Sequence, residues 1–146
     1  MRVIKPFVRV AEQGFTLLEI MIVVVIIGLL AAMVAPSLMS NVDKAQTSRT
    51  RQDIRQIETV LNLYRLDNFR YPSGSEGLAA LVTNPGDTAA PNWKQQLKKL
   101  PVDPWNRPYQ YASPGQHGEF DVFSLGADGQ EGGEGVNADI GNWDLD

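Results

Sequence analysis

The sequence predicts a membrane-anchored α+β protein: one long N-terminal helix, its second half packed on a small antiparallel β-sheet. Three observations carry this reading. From Phe15 to Met39 the only ionisable residue is Glu19. From Asn41 onward apolar residues recur at three and four positions, the spacing of one helix face. Near the C-terminus two short aromatic, alternating segments flank a Pro/Gly loop, the pattern of a hairpin. A length of 146 residues suits one domain plus an anchor. There is no cysteine, so no disulfide framework stabilises the domain.

Met1–Gly14 carries Arg2, Lys5 and Arg9 against the single acid Glu12. A positive head before an apolar run fits an export signal and the positive-inside rule. It predicts a cytoplasmic N-terminus and places the chain after about Asn41 across the inner membrane. The remainder is acidic, because residues 1–14 hold three of the 13 Lys and Arg but only one of the 17 Asp and Glu. Such a balance excludes a general nucleic-acid binder.

The apolar run has no charge between Ile20 and Ala35 and lacks the polar face of a soluble core helix. Roughly 20 apolar residues cross a bilayer as a helix, so the run is a membrane helix. Glu19 at its edge has two readings. It can snorkel toward the interface, or it can be buried beside a cation, since a carboxylate near a bilayer centre costs about 2.5–3.5 kcal/mol. A free amino group at Phe15 is such a cation, and cleavage after the small residue Gly14 creates it. A conventional signal-peptide cut within the small-residue run Gly28–Ala35 is the alternative.

Gly14 followed by Phe15-Thr16-Leu17-Leu18-Glu19 and an apolar helix resembles the prepilin signature of type IV pilins and type II secretion pseudopilins. The resemblance implies a membrane aspartyl peptidase that cuts Gly14 from Phe15 and N-methylates Phe15. It also implies that Glu19 pairs with the Phe15 amino group of a neighbouring subunit during assembly. Pro36 lacks an amide donor and is expected to kink or locally open the helix, although membrane helices also tolerate proline. In the resembling family the segment between positions like Gly28 and Pro36 loosens on entry into the filament.

Ile54, Ile57, Leu61 and Tyr64 form one apolar stripe, which Val60 and Leu63 are expected to broaden. No strong breaker follows Pro36 until Tyr71-Pro72, so one helix is predicted from near Thr16 to about Phe69, ended by Pro72. Arg49 with Asp53 and Arg55 with Glu58 have favourable surface spacings. Arg49, Arg51, Arg55, Arg65 and Arg70 read as a solvated face, or as partners of the acidic C-terminal region of another subunit.

Ser73-Gly74-Ser75-Glu76 has the form of a capping box before a short amphipathic helix with Leu78, Leu81 and Val82. Asn84-Pro85-Gly86-Asp87 is turn chemistry. Trp93, Leu97 and Leu100 make a brief apolar set ahead of the proline-stiffened Leu100–Trp105, and Trp93 and Trp105 read as core anchors. Tyr109-Gln110-Tyr111 and Phe120–Leu125 are the two hairpin strands, joined by Ser113–Gly118. The lone histidine, His117, sits in that loop and reads as solvated.

The tail Gly126–Asp146 holds Asp128, Glu131, Glu134, Asp139, Asp144 and Asp146, no base, and interleaved glycines. Like charges this close repel unless water or a cation screens them. Calcium takes carboxylate and carbonyl oxygens in flexible geometry, and the EF-hand pattern is absent. On spacing alone a calcium loop and an acidic disordered terminus are equal readings. Tyr71-Pro72, Leu100–Trp105, Ser124–Gly129 and Ala138–Trp143 are similar to the major-pseudopilin family of type II secretion, and the similarity runs from Gly14 to Asp144. It implies a calcium loop in place of the disulfide loop of adhesive pilins. Carried over, Leu125, Ile140 and Asn142 supply backbone carbonyls and Asp128 a carboxylate. Some relatives have an acid where this chain has Gly135, so Glu134, Asp139 or water must complete the shell, with Asp139 favoured.

The resemblance implies three parts: a cleaved cytoplasmic leader, 1–14; a transmembrane and filament-core helix, 15–40; and a pilin-like periplasmic domain, 41–146. It implies a structural subunit with no catalytic residue. That subunit polymerises into a periplasmic pseudopilus that drives folded exoproteins through an outer-membrane channel. Its implied partners are copies of itself, minor pseudopilins, the inner-membrane assembly platform and the prepilin peptidase. Two other readings are an adhesive or motility pilus subunit and a membrane-tethered enzyme using His117 with Ser113 or Asp121.

Overall fold

A computed structural model describes residues 14–145. The basic head with Arg2, Lys5, Arg9 and Glu12, and the terminal Asp146, lie outside the described residues. Helix α1 spans Leu17–Asn68. Thr16 caps it, its Oγ1 accepting the Glu19 amide at 3.2 Å. Thr16-x-x-Glu19 is therefore a helix-start pattern in its own right, and Glu19 adds a favourable charge to the first turn.

The helix is unbroken through Gly28 and Pro36. The opening expected at Pro36 is not present in the single subunit. Proline removes one donor, and the ladder bonds on either side suffice to hold the helix. Two compact units divide between Ser40 and Asn41. The large apolar side chains of the first unit, from Phe15 to Met39, are all exposed. Apolar apart from Glu19 at its start, this stretch is long enough to cross a membrane.

In the second unit, helical periodicity sorts the side chains. Ile54, Ile57, Val60, Leu61 and Tyr64 are buried. Leu63 is not part of the stripe: it is 47% exposed, against 0% for Leu61. Two residues on, it lies about 200° around the helix from Leu61. The helix stops at Asn68 because Phe69 turns left-handed, φ 58°, while its N–H donates to the Arg65 carbonyl at 2.7 Å. Pro72, expected to end the helix, is buried three residues beyond the left-handed Phe69.

The capping box forms, with the Ser73 amide on Glu76 Oε2 at 2.7 Å and the Glu76 amide on Ser73 Oγ at 3.3 Å. It precedes a 3₁₀ turn, Gly77–Leu81, that buries Leu78, Ala80 and Leu81. Val82, expected on the buried face, is only partly covered. Asn84 Oδ1 accepts the Gly86 amide at 2.9 Å, as the turn chemistry predicts. Trp93 and Trp105 are partly buried against the core, and Trp93 Nε1 donates to the Ala80 carbonyl at 2.6 Å.

The sheet has three antiparallel strands in the order β1-β2-β3: β1 Gln110–Ala112, β2 Asp121–Ser124 and β3 Ile140–Gly141. Tyr111 faces Val122, and Ser124 faces Ile140. The hairpin is where the alternation puts it, one residue later in β1. The two-residue β3 is too short for any alternation to reveal. Tyr109, Phe120, Val122 and Ile140 complete the core beneath α1 and the 3₁₀ turn. Each fully buried large apolar side chain contributes about 1.5–3 kcal/mol. The expected α+β fold is the one observed.

Candidate functional site

Phe15 is 78% exposed, and among the described residues Glu19 makes no ion pair. Gly14 and Gly28 have no neighbouring atoms that a side chain would meet. Along this stretch α1 is an exposed, uncharged apolar surface with one carboxylate at its start.

The acidic loop spans 125–139, between the end of β2 and the start of β3, so sheet pairing closes both its ends. The Gly129 amide donates to the Leu125 carbonyl at 3.2 Å, and the Ala127 amide to Val136 at 2.9 Å. Gly126 has φ +63° with no room for a side chain, since a Cβ would lie 2.7 Å from the Asn137 carbonyl oxygen. Asp128 is exposed and its Oδ1 caps the Gln130 amide at 3.1 Å. Asp139 Oδ2 accepts the Gly132 amide at 2.9 Å, while its Oδ1 is buried with no hydrogen-bond partner. A buried carboxylate oxygen without a donor has room for a water or a cation.

The donors of this loop suit a hard cation. Asn142 spends its side chain on structure: Oδ1 accepts the Val122 amide at 3.0 Å and Nδ2 donates to Phe120 at 3.2 Å. Only its backbone carbonyl is left for a metal, which is the role expected for it. Among the described residues no three acidic or histidine side chains converge, so a cation here must draw chiefly on carbonyls such as those of Leu125 and Ile140. Calcium accepts that mixture.

Several functional contacts had no clear signal in the sequence. Asp103, in the Leu100–Trp105 connection, is buried; its Oδ1 accepts the Trp105 and Arg107 amides at 3.1 and 2.8 Å, and Oδ2 accepts Ser124 Oγ at 2.7 Å. Arg107 reaches from that turn into the acidic loop, donating to the Gly126 carbonyl at 2.9 Å and to Ala127. Tyr109 donates its phenol to Asp53 Oδ2 at 2.9 Å, tying the sheet to α1. Burial first, and then the Asp53 carboxylate, push its pKa up.

His117 is exposed, as expected for its loop, but it also makes specific contacts. Its ring stacks on Trp143 at 3.9 Å, and Nδ1 lies 3.0 Å from Asp121 Oδ2. Asp121 also accepts the Gln116 and His117 amides, at 2.7 and 3.2 Å. Burial works against ionising this carboxyl, but the His117 ring and the two amides outweigh it and hold its pKa low. Among the described residues no hydroxyl is hydrogen-bonded to His117, and the pair with Asp121 organises the hairpin loop.

The arginines divide. Arg49 pairs with Asp53 at 3.7 Å as its spacing predicts. Arg55 does not pair with Glu58; its guanidinium donates to the Leu145 carbonyl instead. Arg51 lies 3.9 Å from Asp144, so reach toward the acidic C-terminal segment occurs within one subunit. Arg65 meets Glu119 at 2.6 Å. Arg70 is half-buried, holds Glu76 through both nitrogens at 2.7 Å and donates to Ala89.

A long helix with an apolar, exposed head and a small sheet packed under its second half defines a protein of the pilin class. Residues 9–35 match the prokaryotic N-terminal methylation motif. Residues 37–143 match the model of type II secretion system (T2SS) protein G, and the chain belongs to that family. It is 55% identical over 139 residues to the type II secretion system core protein G of Pseudomonas aeruginosa, covering 93% of this chain and 98% of that one. The Vibrio cholerae core protein G is 52% identical over 136 residues, 92% of this chain and 93% of that one. The crystal structure of the major pseudopilin from the type 2 secretion system of enterohaemorrhagic Escherichia coli superposes with a TM-score of 0.64 at 42% identity, over 74% of this chain and 95% of that one. The chain is thus a structural pseudopilin of type II secretion, and the adhesive-pilus reading is set aside.

Proposed function

We propose that this pseudopilin polymerises into a periplasmic filament that pushes folded exoproteins toward an outer-membrane channel, and that it has no catalytic role. The observation that carries the reading is the unpartnered apolar head of α1 with Glu19 at its start. The precursor sits in the inner membrane with residues 1–14 cytoplasmic, 15–40 spanning and 41–146 periplasmic. The prepilin peptidase cuts between Gly14 and Phe15 and methylates the new terminus. An assembly platform then lifts subunits out of the bilayer, and minor pseudopilins cap the fibre. In the fibre, apolar helices bury one another at about 25 cal/mol per Å². The Phe15 ammonium of one copy neutralises Glu19 of the next and sets the register, since an unpaired buried charge costs about 3–5 kcal/mol. The helix between Gly28 and Pro36 loosens as it enters the fibre.

The acidic loop holds calcium. Asp139 supplies the carboxylate whose Oδ1 lacks a partner, Leu125, Ile140 and Asn142 supply carbonyls, and Asp128 supplies a second carboxylate. The cation screens the loop's like charges and so stabilises the turn that closes β2 onto β3. Glycine stands at 135, so water or Glu134 fills the remaining positions.

The test is made on the mature protein. N-terminal analysis is expected to find N-methylated Phe15, and Glu19→Ala is expected to be processed normally yet to abolish filaments seen by electron microscopy. A different mature terminus, or normal fibres from Glu19→Ala, overturns the reading.

A further inference from the structure

We propose that Arg107 is a positioning residue for the acidic loop: its guanidinium acts as a fixed internal cation that shapes residues 126–129, leaving the metal to order 132–139. This rests on the calcium reading above. No Lys or Arg follows Arg107 in the sequence, so the acids of the loop have no cation of their own. Arg107 supplies one from outside. Its two terminal nitrogens donate to successive carbonyls, Gly126 at 2.9 Å and Ala127. That fork matches two adjacent acceptors in a way a lysine ammonium cannot.

The surroundings are arranged for this contact. Asp103 fixes the turn that presents Arg107, accepting its amide at 2.8 Å, while the Asp103 amide donates to the Arg107 carbonyl at 2.8 Å. Asp103 is itself buried and held by Ser124 Oγ, at the end of β2, where the loop begins. Gly129 has φ +69°, and a Cβ there would run into the guanidinium. The glycine is thus required both by its backbone and by the arginine against it. With the carbonyls of Gly126 and Ala127 engaged by Arg107, the metal on this half would share the Leu125 carbonyl with the Gly129 amide and take Asp128 Oδ2, since Oδ1 accepts the Gln130 amide.

The other half has no such device. Gly132 through Gly135 are exposed, and the half is joined through Asp139, whose amide donates to Gly132 at 3.2 Å and whose Oδ1 has no partner. Among the described residues no basic side chain pairs with an acid of this half. Arg107 repels calcium by its charge but spares it the ordering of half the loop. We infer that the ordering effect is the larger, because a loop half already held in place adds no ordering cost when the metal binds.

The experiment uses the full chain in detergent micelles, comparing wild type, Arg107→Met and Arg107→Lys by calcium titration calorimetry and by hydrogen exchange in EDTA. In wild type under EDTA, the amides of 126–129 are expected to stay protected while those of 132–139 exchange fast. Arg107→Met is expected to release 126–129 as well and to weaken calcium binding about tenfold, with Arg107→Lys recovering only part. Helix amides around Ile57 and Leu61 report whether each variant is folded; if Arg107→Met is not, Arg107→Lys decides alone, by an intermediate loss. Undiminished or tighter calcium binding in the variants, full recovery by lysine, or fast exchange of 126–129 in wild type overturns the proposal. If calcium leaves 132–139 unchanged in wild type, the calcium reading fails and the proposal with it; release of 126–129 in Arg107→Met would then identify Arg107 as a clamp of the loop alone.

Discussion

Glu76 joins three segments of the domain. It closes the capping box with Ser73, and it takes both nitrogens of Arg70, which also grips the Ala89 carbonyl. The Arg70 guanidinium first of all, opposed by burial and helped by the Ser73 amide and hydroxyl, holds its carboxyl at about 2 instead of 4.5. A depressed carboxylate stabilises the fold fully above its unfolded value, and the contribution is lost as pH falls through the folded one. The loss therefore runs from about pH 4.5 down to about pH 2. Glu76→Gln should cost on the order of 2 kcal/mol at neutral pH, discounted for the partial exposure of Arg70. It should also flatten the acid limb of stability between those values, measured by urea unfolding at a series of pH. The capping box was legible at Ser73 and Glu76, because it is a local pattern. The ion pair with Arg70 was not, since Arg70 read as one of a row of surface arginines and its half-burial comes from the 77–90 segment folding over it.

Helix α1 carries two patterns in one element. Its first part is apolar all round and its second part is apolar on one stripe. The stripe decides packing one residue at a time. Leu61→Ala should destabilise the domain by about 2–5 kcal/mol, whereas Leu63→Ala should change stability by less than about 0.5 kcal/mol, both read from denaturant midpoints. Equal losses would show that Leu63 belongs to the core after all. Leu63 misled because the stripe was widened by composition, where the 3.6-residue period already placed it on the far face. The sheet shows the opposite failure. β3 is two residues long and exists by pairing with β2, and nothing in Ile140-Gly141 alone distinguishes it from loop. The hairpin, with alternating aromatic residues on both sides of a Pro/Gly turn, was readable within a residue.

At the scale of the whole molecule, charge is unevenly placed: the C-terminal segment is acidic and devoid of base, and the helix supplies arginines that reach it at Asp144 and Leu145. A cation that binds only the folded loop adds stability by mass action, about 2.7 kcal/mol at a hundredfold excess over its dissociation constant. Thermal unfolding of the full chain in detergent should therefore shift upward by several degrees from EDTA to excess calcium. An identical midpoint in both would rule the calcium loop out. Among the expected ligands, Asp139 has an oxygen, Oδ1, that is buried without a hydrogen-bond partner. Asp128 has no such oxygen, being exposed and engaged with Gln130.

Local chemistry was enough to indicate the apolar span, the long helix, its core stripe and the hairpin, and the resemblance to known pilins supplied the family. Uninterrupted apolarity, 3.6-residue spacing, strand alternation and a cleavage-site pattern are each written within a few neighbouring residues. The contacts that shape the acidic loop were settled only by folding. Asp103, Arg107, Ser124 and Gly129 are spread over 27 positions of the chain, and what brings a guanidinium to two loop carbonyls is the path of the backbone between them. Burial did the same for Asp121, and ring stacking for the exposed His117. A histidine four residues from an aspartate is unremarked in a sequence until a strand buries the carboxylate and a tryptophan from the far end of the chain closes over the ring.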